Sequence, residues 1–122
     1  EDGIRDDLVT GVQTCALPIY LKKHSKREKY FFSSIKSNHR KFEEKRYWRG
    51  PVWINCNWII YQGLKNKDNR FANQIKKKTI DLVKQKGFNE YFSCKTGKGF
   101  GATNFSWTAS LFLDLILENK YE

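Results

Sequence analysis

Two stretches of this 122-residue chain are apolar on nearly every side of a helix, and this pattern restricts the fold more than any other feature. The first covers residues 52–64 and the second covers residues 105–119. Between them, residues 69–86 place apolar side chains on one helical face and lysines on the opposite face. A helix that is apolar all round is buried, whereas an amphipathic helix keeps one face in water. The sequence therefore predicts an all-α fold of alternating inner and outer helices.

Helical hairpins that alternate in this way are typical of an (α/α)6 toroid, and we predict that the chain forms the last part of an incomplete one. Pro51 suits the first turn of the first apolar helix, because its missing N–H is not needed there. Asp68 is predicted to cap the amphipathic helix, and Gly87 is predicted to end it. Residues 88–104 contain three glycines and are predicted to form a long functional loop at one end of the toroid.

The chain before the first apolar helix is polar and basic. Residues 21–32 are predicted to form a short helix, and residues 33–46 an extended surface connection. Residues 1–19 differ from both: they lack lysine and show no helical or alternating period. Most of them also back-translate, codon by codon and in order, to a common short-read sequencing adapter. We interpret residues 1–19 as a disordered, adapter-derived artefact and residues 20–122 as a domain fragment.

Composition excludes several classes of function. Lys and Arg number 23 against 13 Asp and Glu, and without residues 1–19 the counts are 22 and 9, a net charge of +13. These charges are spread among Asn, Ile, Tyr and Phe, which favours a solvated surface over a nucleic-acid site. No apolar run is long enough to span a membrane, so no membrane partner is expected. Cys56 and Cys94 are interpreted as free thiols, and no metal or other cofactor is expected.

The run Tyr-Trp-Arg-Gly-Pro-Val-Trp, residues 47–53, is the most informative motif for function. It places Trp48, Gly50 and Trp53 at the mouth of an apolar helix, and a tryptophan face matches the C–H face of a sugar ring. We expect these three residues to line a sugar site. Arg49 is a candidate for contacting a sugar hydroxyl, although a structural ion pair explains it equally well. The other two tryptophans, Trp58 and Trp107, are interpreted as core residues.

Glu90 is the candidate catalytic residue. It follows the predicted end of a helix and lies among aromatic residues, within the segment 87–92. A single positioned carboxylate beside aromatic plates can activate a water molecule against a sugar. The motif and this carboxylate together point to a carbohydrate-active site.

Six segments resemble, in order, the catalytic domain of glycoside hydrolase family 63 and its mannosylglycerate-hydrolase-like relatives. They are residues 47–53, 57–58, 61–64, 87–92, 96–97 and 105–109. The resemblance implies an inverting α-glycosidase of the glucosidase or mannosylglycerate-hydrolase type, with Glu90 as general base and with Trp48, Gly50 and Trp53 in the subsite of the sugar that is cleaved. Its substrate would be an oligosaccharide or another glycoside.

The resemblance also implies a general acid, an aspartate from an earlier helix, which no residue here matches. Asp68, Asp81 and Asp114 lie outside that motif. We therefore expect this chain to be inactive alone. The alternatives are another toroidal glycosidase such as a trehalase, or a small basic nucleic-acid-binding module built on residues 20–46. The sequence leaves open the linkage cleaved, the compartment (cytoplasmic or periplasmic) and the oligomeric state.

Overall fold

The computed structural model describes residues 18–118 of the chain. Its first helix, α1, includes residues 18–25, and longer helices follow: α2 over Ile54–Leu64, α3 over Asn69–Lys86 and α4 over Ser106–Leu117. Between α3 and α4 lie two antiparallel two-residue strands, β1 over Tyr91–Phe92 and β2 over Gly99–Phe100. The helices α2, α3 and α4 all pack against one another. The prediction of an all-α fold of helical hairpins is confirmed.

The amphipathic helix α3 forms as predicted, from residue 69 to residue 86. The Asp68 carboxylate accepts a hydrogen bond from the Phe71 N–H at 3.2 Å, and Gly87 ends the helix with φ +82°. Its apolar face is buried against the other helices. One predicted surface residue differs: Lys76 is only 6% exposed, and its ammonium lies 3.4 Å from the Glu118 carboxylate. The long lysine stem is therefore buried, while its ammonium reaches a partly exposed carboxylate.

The first apolar helix begins two residues later than the sequence predicts. Val52 is extended, and its N–H and C=O both pair with the backbone of Phe92, at 2.8 and 2.9 Å. Trp53 follows as the N-cap residue of α2 with an extended backbone. Pro51 therefore lies before the helix and not in its first turn. The partner of Val52 is distant in sequence, and for that reason helical periodicity does not reveal this pairing.

The chain before α2 is shaped by a buried asparagine. Helix α1 ends near residue 25, earlier than predicted, and the backbone of Phe31 and Phe32 then runs past Asn57 of α2. The Asn57 amide accepts from the Phe32 N–H and donates to the Phe31 carbonyl and, at 3.1 Å, to the Thr79 hydroxyl. Of residues 33–46, predicted to be an extended connection, Ser33 pairs with Val52 in an antiparallel bridge, and the rest form turns and bends. The predicted boundary between residues 19 and 20 falls inside α1, and residues 1–17 lie outside the described part.

Two buried clusters form the core. One joins α1 to α2, α3 and α4 through nine side chains: Leu21, Phe31, Phe32, Tyr61, Leu64, Phe71, Ala72, Ile75 and Leu115. The other lies at the opposite end of α3 and contains Tyr30, Val52, Ile54, Leu82, Val83, Phe92 and Cys94. Helix α3 spans both clusters because its apolar face places Phe71, Ala72 and Ile75 in the first and Leu82 and Val83 in the second.

The two apolar helices are less buried than the sequence predicts. Ile59 on α2 is 59% exposed, and Trp107 and Leu113 on α4 are 48% and 50% exposed. Within residues 18–118 no further helix covers this side. Burial on one side and exposure on the other is what inner helices of a toroid show when only some of their neighbours are present.

The described residues were compared with the expectations for membrane-spanning helices, metal sites and thiols. None of their helices is long and apolar enough to cross a membrane, and they contain no group of three residues arranged to hold a metal ion. Cys56 and Cys94 are free thiols. Burial raises the pKa of both thiols, that of Cys94 to about 11, so both remain protonated at neutral pH.

Replacing Asn57 with alanine tests its role as the link between α2 and the preceding chain. The substitution leaves the Phe31 carbonyl, the Phe32 N–H and the Thr79 hydroxyl buried without a partner. We expect the free energy of unfolding to fall by about 3 kcal/mol or more, measured by urea denaturation. Asn73→Ala, on the exposed face of α3, is the control and should change it by less than about 0.5 kcal/mol. Equal effects of the two substitutions would refute the role of Asn57.

Candidate active site

Glu90 is held by the glycine-containing loop that includes β2. Its N–H donates to the Ala102 carbonyl at 2.9 Å, and its Oε2 accepts the Ala102 N–H at 3.0 Å. Gly101, with φ +73°, makes this approach possible, since a Cβ there would lie 2.4 Å from Glu90 Oε2. The Glu90 side chain is half-buried and has no salt bridge within the described residues. A backbone donor therefore fixes the orientation of a carboxylate that stays accessible.

The first turn of α4 is attached to the same segment. The Phe105 N–H donates to the Phe88 carbonyl, and the Thr108 hydroxyl donates to the Asn89 carbonyl, both at 2.8 Å. These bonds bring Trp107 beside Glu90. The start of α2 reaches the same place through the pairing of Val52 with Phe92.

A narrow crevice, with no room inside it for a water molecule, lies where these elements meet. Its lining combines one carboxylate with aromatic, apolar and amide side chains: Trp53, Ile54, Asn55, Glu90, Phe105, Trp107, Thr108 and Leu111. The structure thus brings together Glu90 and Trp53, which the sequence singled out separately. A carboxylate and indole rings are groups that can bind a sugar and accept a proton from water, but within residues 18–118 they do not enclose an open pocket.

Aromatic rings continue from the crevice to the surface. We call Tyr47, Trp48, Trp53 and Tyr91 the aromatic cluster. Trp53 stacks on Trp48, with ring centroids 4.2 Å apart, and on Tyr91 at 5.1 Å. Trp53 is only 2% exposed, while Trp48 is 48% exposed. In this structure Trp48 therefore offers the open indole face, and Trp53 supports it from beneath.

Gly50 and Arg49 have clear structural partners. The Gly50 N–H donates to the Ser34 hydroxyl at 3.0 Å, and a Cβ on Gly50 would lie 2.2 Å from the Glu43 carbonyl oxygen. Arg49 lies 3.3 Å from the Glu43 carboxylate in an exposed ion pair. The structure thus places Arg49 in the ion pair that the sequence left open, and backbone packing alone requires glycine at position 50.

Tyr47 connects the other members of the aromatic cluster to Glu90, and it was not among the predicted site residues. Its carbonyl accepts the indole N–H of Trp53 at 3.0 Å, and its backbone has a strained φ of +24°. Burial raises the pKa of Tyr47 above its ordinary value, and the neighbouring Glu90 raises it further through its charge and by accepting a hydrogen bond. Tyr47 and Glu90 are therefore close enough to influence each other.

Two other contributors were missed. Trp107 was interpreted as a core residue, but it is 48% exposed and lines the crevice beside Glu90. Its position at the second residue of a helix that follows a glycine-rich loop was a usable signal. The hydrogen bond from the Ala102 N–H could not be predicted from the sequence, because a backbone donor is independent of the side chain at that position.

Comparison with known proteins identifies the family. The model of the mannosylglycerate hydrolase MGH1-like glycoside hydrolase domain matches residues 17–108. The chain belongs to this family. Mannosylglycerate hydrolase of Rubrobacter radiotolerans is 44% identical over 80 residues, which are 63% of this chain and 18% of that protein. Mannosylglycerate hydrolase of Thermus thermophilus is 37% identical over 93 residues, 75% of this chain and 22% of that protein.

Solved structures agree with this assignment. The family 63 mannosylglycerate hydrolase of Thermus thermophilus, in complex with glucose, matches with a TM-score of 0.73 at 35% identity, over 80% of this chain and 26% of that one. The same enzyme with Tris and D-glycerate gives a TM-score of 0.76 at 33% identity, over 84% and 25%. The resemblance to glycoside hydrolase family 63 is therefore confirmed. The chain spans about a fifth of the length of the curated relatives it matches.

Gly50→Ala is predicted to destabilise the chain because the new methyl group collides with the backbone of Glu43. We expect a loss of about 2 kcal/mol or more in urea denaturation. Gly63→Ala is the matched control: the site is exposed on α2 with nothing within 4 Å of the new Cβ, so it should gain about 0.5–1 kcal/mol from helix propensity. Destabilisation by both substitutions would contradict the packing argument.

The proximity of Tyr47 and Glu90 predicts a raised pKa for Tyr47 that responds to substitution of Glu90. The ultraviolet absorbance of tyrosinate, taken as the difference from Tyr47→Phe, should place the pKa of Tyr47 above the ordinary value of about 10. Glu90→Gln should lower that pKa, because it removes the neighbouring negative charge. Since the folded pKa is raised, this group favours folding below about pH 10 and loses that contribution as pH rises through the folded pKa. Glu44→Gln is the control, and an equal response to it would be contrary evidence.

Proposed function

We propose that this chain supplies the general base and one wall of the sugar site of an inverting α-glycosidase. The observation that carries the proposal is the Glu90 carboxylate, which the Ala102 N–H fixes at 3.0 Å close to Trp53 and Trp107. A base has to be oriented and accessible at once, and this arrangement provides both. Membership of a glycoside hydrolase family supports the same role.

The aromatic cluster provides the sugar platform in this proposal. Trp48 stacks on the C–H face of the sugar, and Trp53 holds Trp48 in place from below. Trp107 limits the crevice on the other side of Glu90. Gly50 keeps the turn before α2 compact, so that the backbone of residues 47–50 can approach the sugar, and Arg49 orients that turn through Glu43.

The reaction inverts the anomeric centre. Glu90 removes a proton from a water molecule, which attacks the anomeric carbon while a second carboxyl protonates the leaving oxygen. In inverting glycosidases the two carboxyls are about 6.5–9.5 Å apart, which leaves room for that water. Within residues 18–118 no aspartate takes the second role: Asp68 caps α3, and Asp114 accepts the indole N–H of Trp58 at 2.5 Å. We therefore propose that the chain alone is inactive.

The substrate class follows from the names of the relatives. They include mannosylglycerate hydrolases, a glucosylglycerate hydrolase and a probable mannosyl-oligosaccharide glucosidase. We propose an α-linked mannosyl or glucosyl group joined to a small hydroxy acid such as glycerate. The sugar lies on Trp48, and the scissile bond points to Glu90.

We expect the purified chain to show no turnover of mannosylglycerate in an assay that measures the release of D-glycerate. The physical reason is that water attack without protonation of the leaving oxygen is slow. Turnover by the chain itself that disappears in Glu90→Gln would refute its inactivity while supporting the role of Glu90.

A chimera tests the role of Glu90 directly. Residues 20–122 replace the segment they match in the Thermus thermophilus mannosylglycerate hydrolase, and hydrolysis is followed by proton NMR, which reports the anomer first released. We expect activity with inversion, and Glu90→Gln should lower kcat by about 10²–10⁴-fold. The control is Asp81→Asn, which removes one carboxylate from α3 away from Glu90 and should leave kcat unchanged. An active chimera that tolerates Glu90→Gln would overturn the assignment.

A further inference from the structure

A second cavity lies away from the glycosidase crevice, between α1 and the turn at residues 36–38. Its volume is about 190 Å³, enough for about six water molecules at ~30 Å³ each. Basic and polar side chains dominate its lining: Tyr20, Lys23, His24, Arg27, Glu28, Lys36, Ser37 and Asn38. A cavity of this size is too small for an oligosaccharide but large enough for a hydrated small ion.

Three cations face this cavity without a carboxylate partner in the described part of the chain. Lys23, Arg27 and Lys36 form no salt bridge within residues 18–118, and Lys36 lies 4.5 Å from the centroid of the Tyr20 ring. Arginine provides a fork of donors that fits oxyanions, and lysine adds a point charge. The donors for an anion are therefore present and not committed to another ionic group.

Glu28, the one acidic residue in the lining, already has hydrogen-bond partners. Glu28 is 7% exposed, and its carboxylate accepts hydrogen bonds from the Ser33 N–H at 2.9 Å, the Ser33 hydroxyl and the Ser37 N–H at 3.2 Å. Neutral donors thus hold Glu28 in the wall. Three positive charges against one negative charge leave the lining with a net charge of +2.

The pKa of His24 depends on the same charged side chains. Its Nδ1 is buried and has no hydrogen-bond partner among the described residues. Burial lowers the pKa of His24, Glu28 raises it, and Lys36 and Arg27 lower it. At neutral pH the imidazole is therefore uncharged, and the positive potential of the cavity comes from the lysines and the arginine.

We propose that this cavity binds a small free oxyanion of the phosphate class, held by Arg27, Lys36 and Lys23. The ligand neutralises the excess positive charge and accepts hydrogen bonds from all three side chains. The site is separate from the glycosidase crevice and shares no lining residue with it. Lys22 of α1 pairs with Asp68 at the N-terminus of α3, whereas Glu90 follows the C-terminus of that helix.

A nucleic acid backbone presents the same phosphate chemistry, but the geometry favours a small ion. Strand binding needs a basic groove that follows the backbone, with aromatic faces free for stacking. Here the cations line one small recess and not an extended groove, and the Lys36 ammonium lies over the Tyr20 ring. One face of that ring is therefore already in contact with a cation.

The test titrates inorganic phosphate into the full chain at constant ionic strength and follows the His24 imidazole resonances by NMR. We expect saturable binding with a Kd on the order of millimolar or tighter. The pKa of His24 should rise on binding, because a nearby anion stabilises the imidazolium form. Arg27→Gln/Lys36→Gln should weaken binding by about tenfold or more, since two charge-assisted hydrogen bonds are lost.

The control is Lys77→Gln/Lys84→Gln, which removes the same two charges from the exposed face of α3 and should leave the Kd unchanged. Equal weakening in both double variants, or a response to phosphate that does not saturate, would overturn the proposal. Tight binding of single-stranded DNA that depends on Arg27 and Lys36, without saturable binding of phosphate, would overturn it in favour of a strand-binding surface.

Discussion

The candidate active site depends on two backbone hydrogen bonds between Val52 and Phe92. They join the residue before α2 to the segment after α3, and both side chains are completely buried. Trp53 follows Val52 directly, and Glu90 lies two residues before Phe92, so this one pairing sets the distance between the indole and the carboxylate. Buried backbone groups must be paired, which makes the contact obligatory once the core around Val52 has formed.

The rest of the site is built around the same segment by short-range bonds. The Ala102 N–H orients the Glu90 carboxylate, and α4 is attached to residues 88–89 by its first turn. Glycine is required at position 101 because the loop passes within contact distance of the Glu90 side chain. Conformational freedom at one loop position thus determines whether the carboxylate of the proposed base can be both fixed and accessible.

Sequence reasoning predicted the elements whose cause is local. The cap at Asp68, the end at Gly87 and the apolar face of α3 follow from residue type and spacing, and they appear at the predicted positions. The predicted start of α2 was wrong because Val52 pairs with a residue that is remote in sequence. The motif at residues 47–53 selected Trp48 and Trp53, and the segment 87–92 selected Glu90. Neither could show that Tyr91 covers Trp53, nor that Tyr47 and the Ala102 N–H reach Glu90. These contacts depend on tertiary structure.

The exposed apolar residues of α2 and α4 give the last step of the argument. Ile59, Leu113 and Trp107 lie on helices whose other faces are buried, and the chain matches only about a fifth of the length of its curated relatives. The bonds that orient Glu90, however, all lie within residues 47–108. The position of the proposed base is therefore set by this segment itself. What the neighbouring wall of a toroid adds is burial for the inner helices and, under the proposed mechanism, the acid that protonates the leaving group.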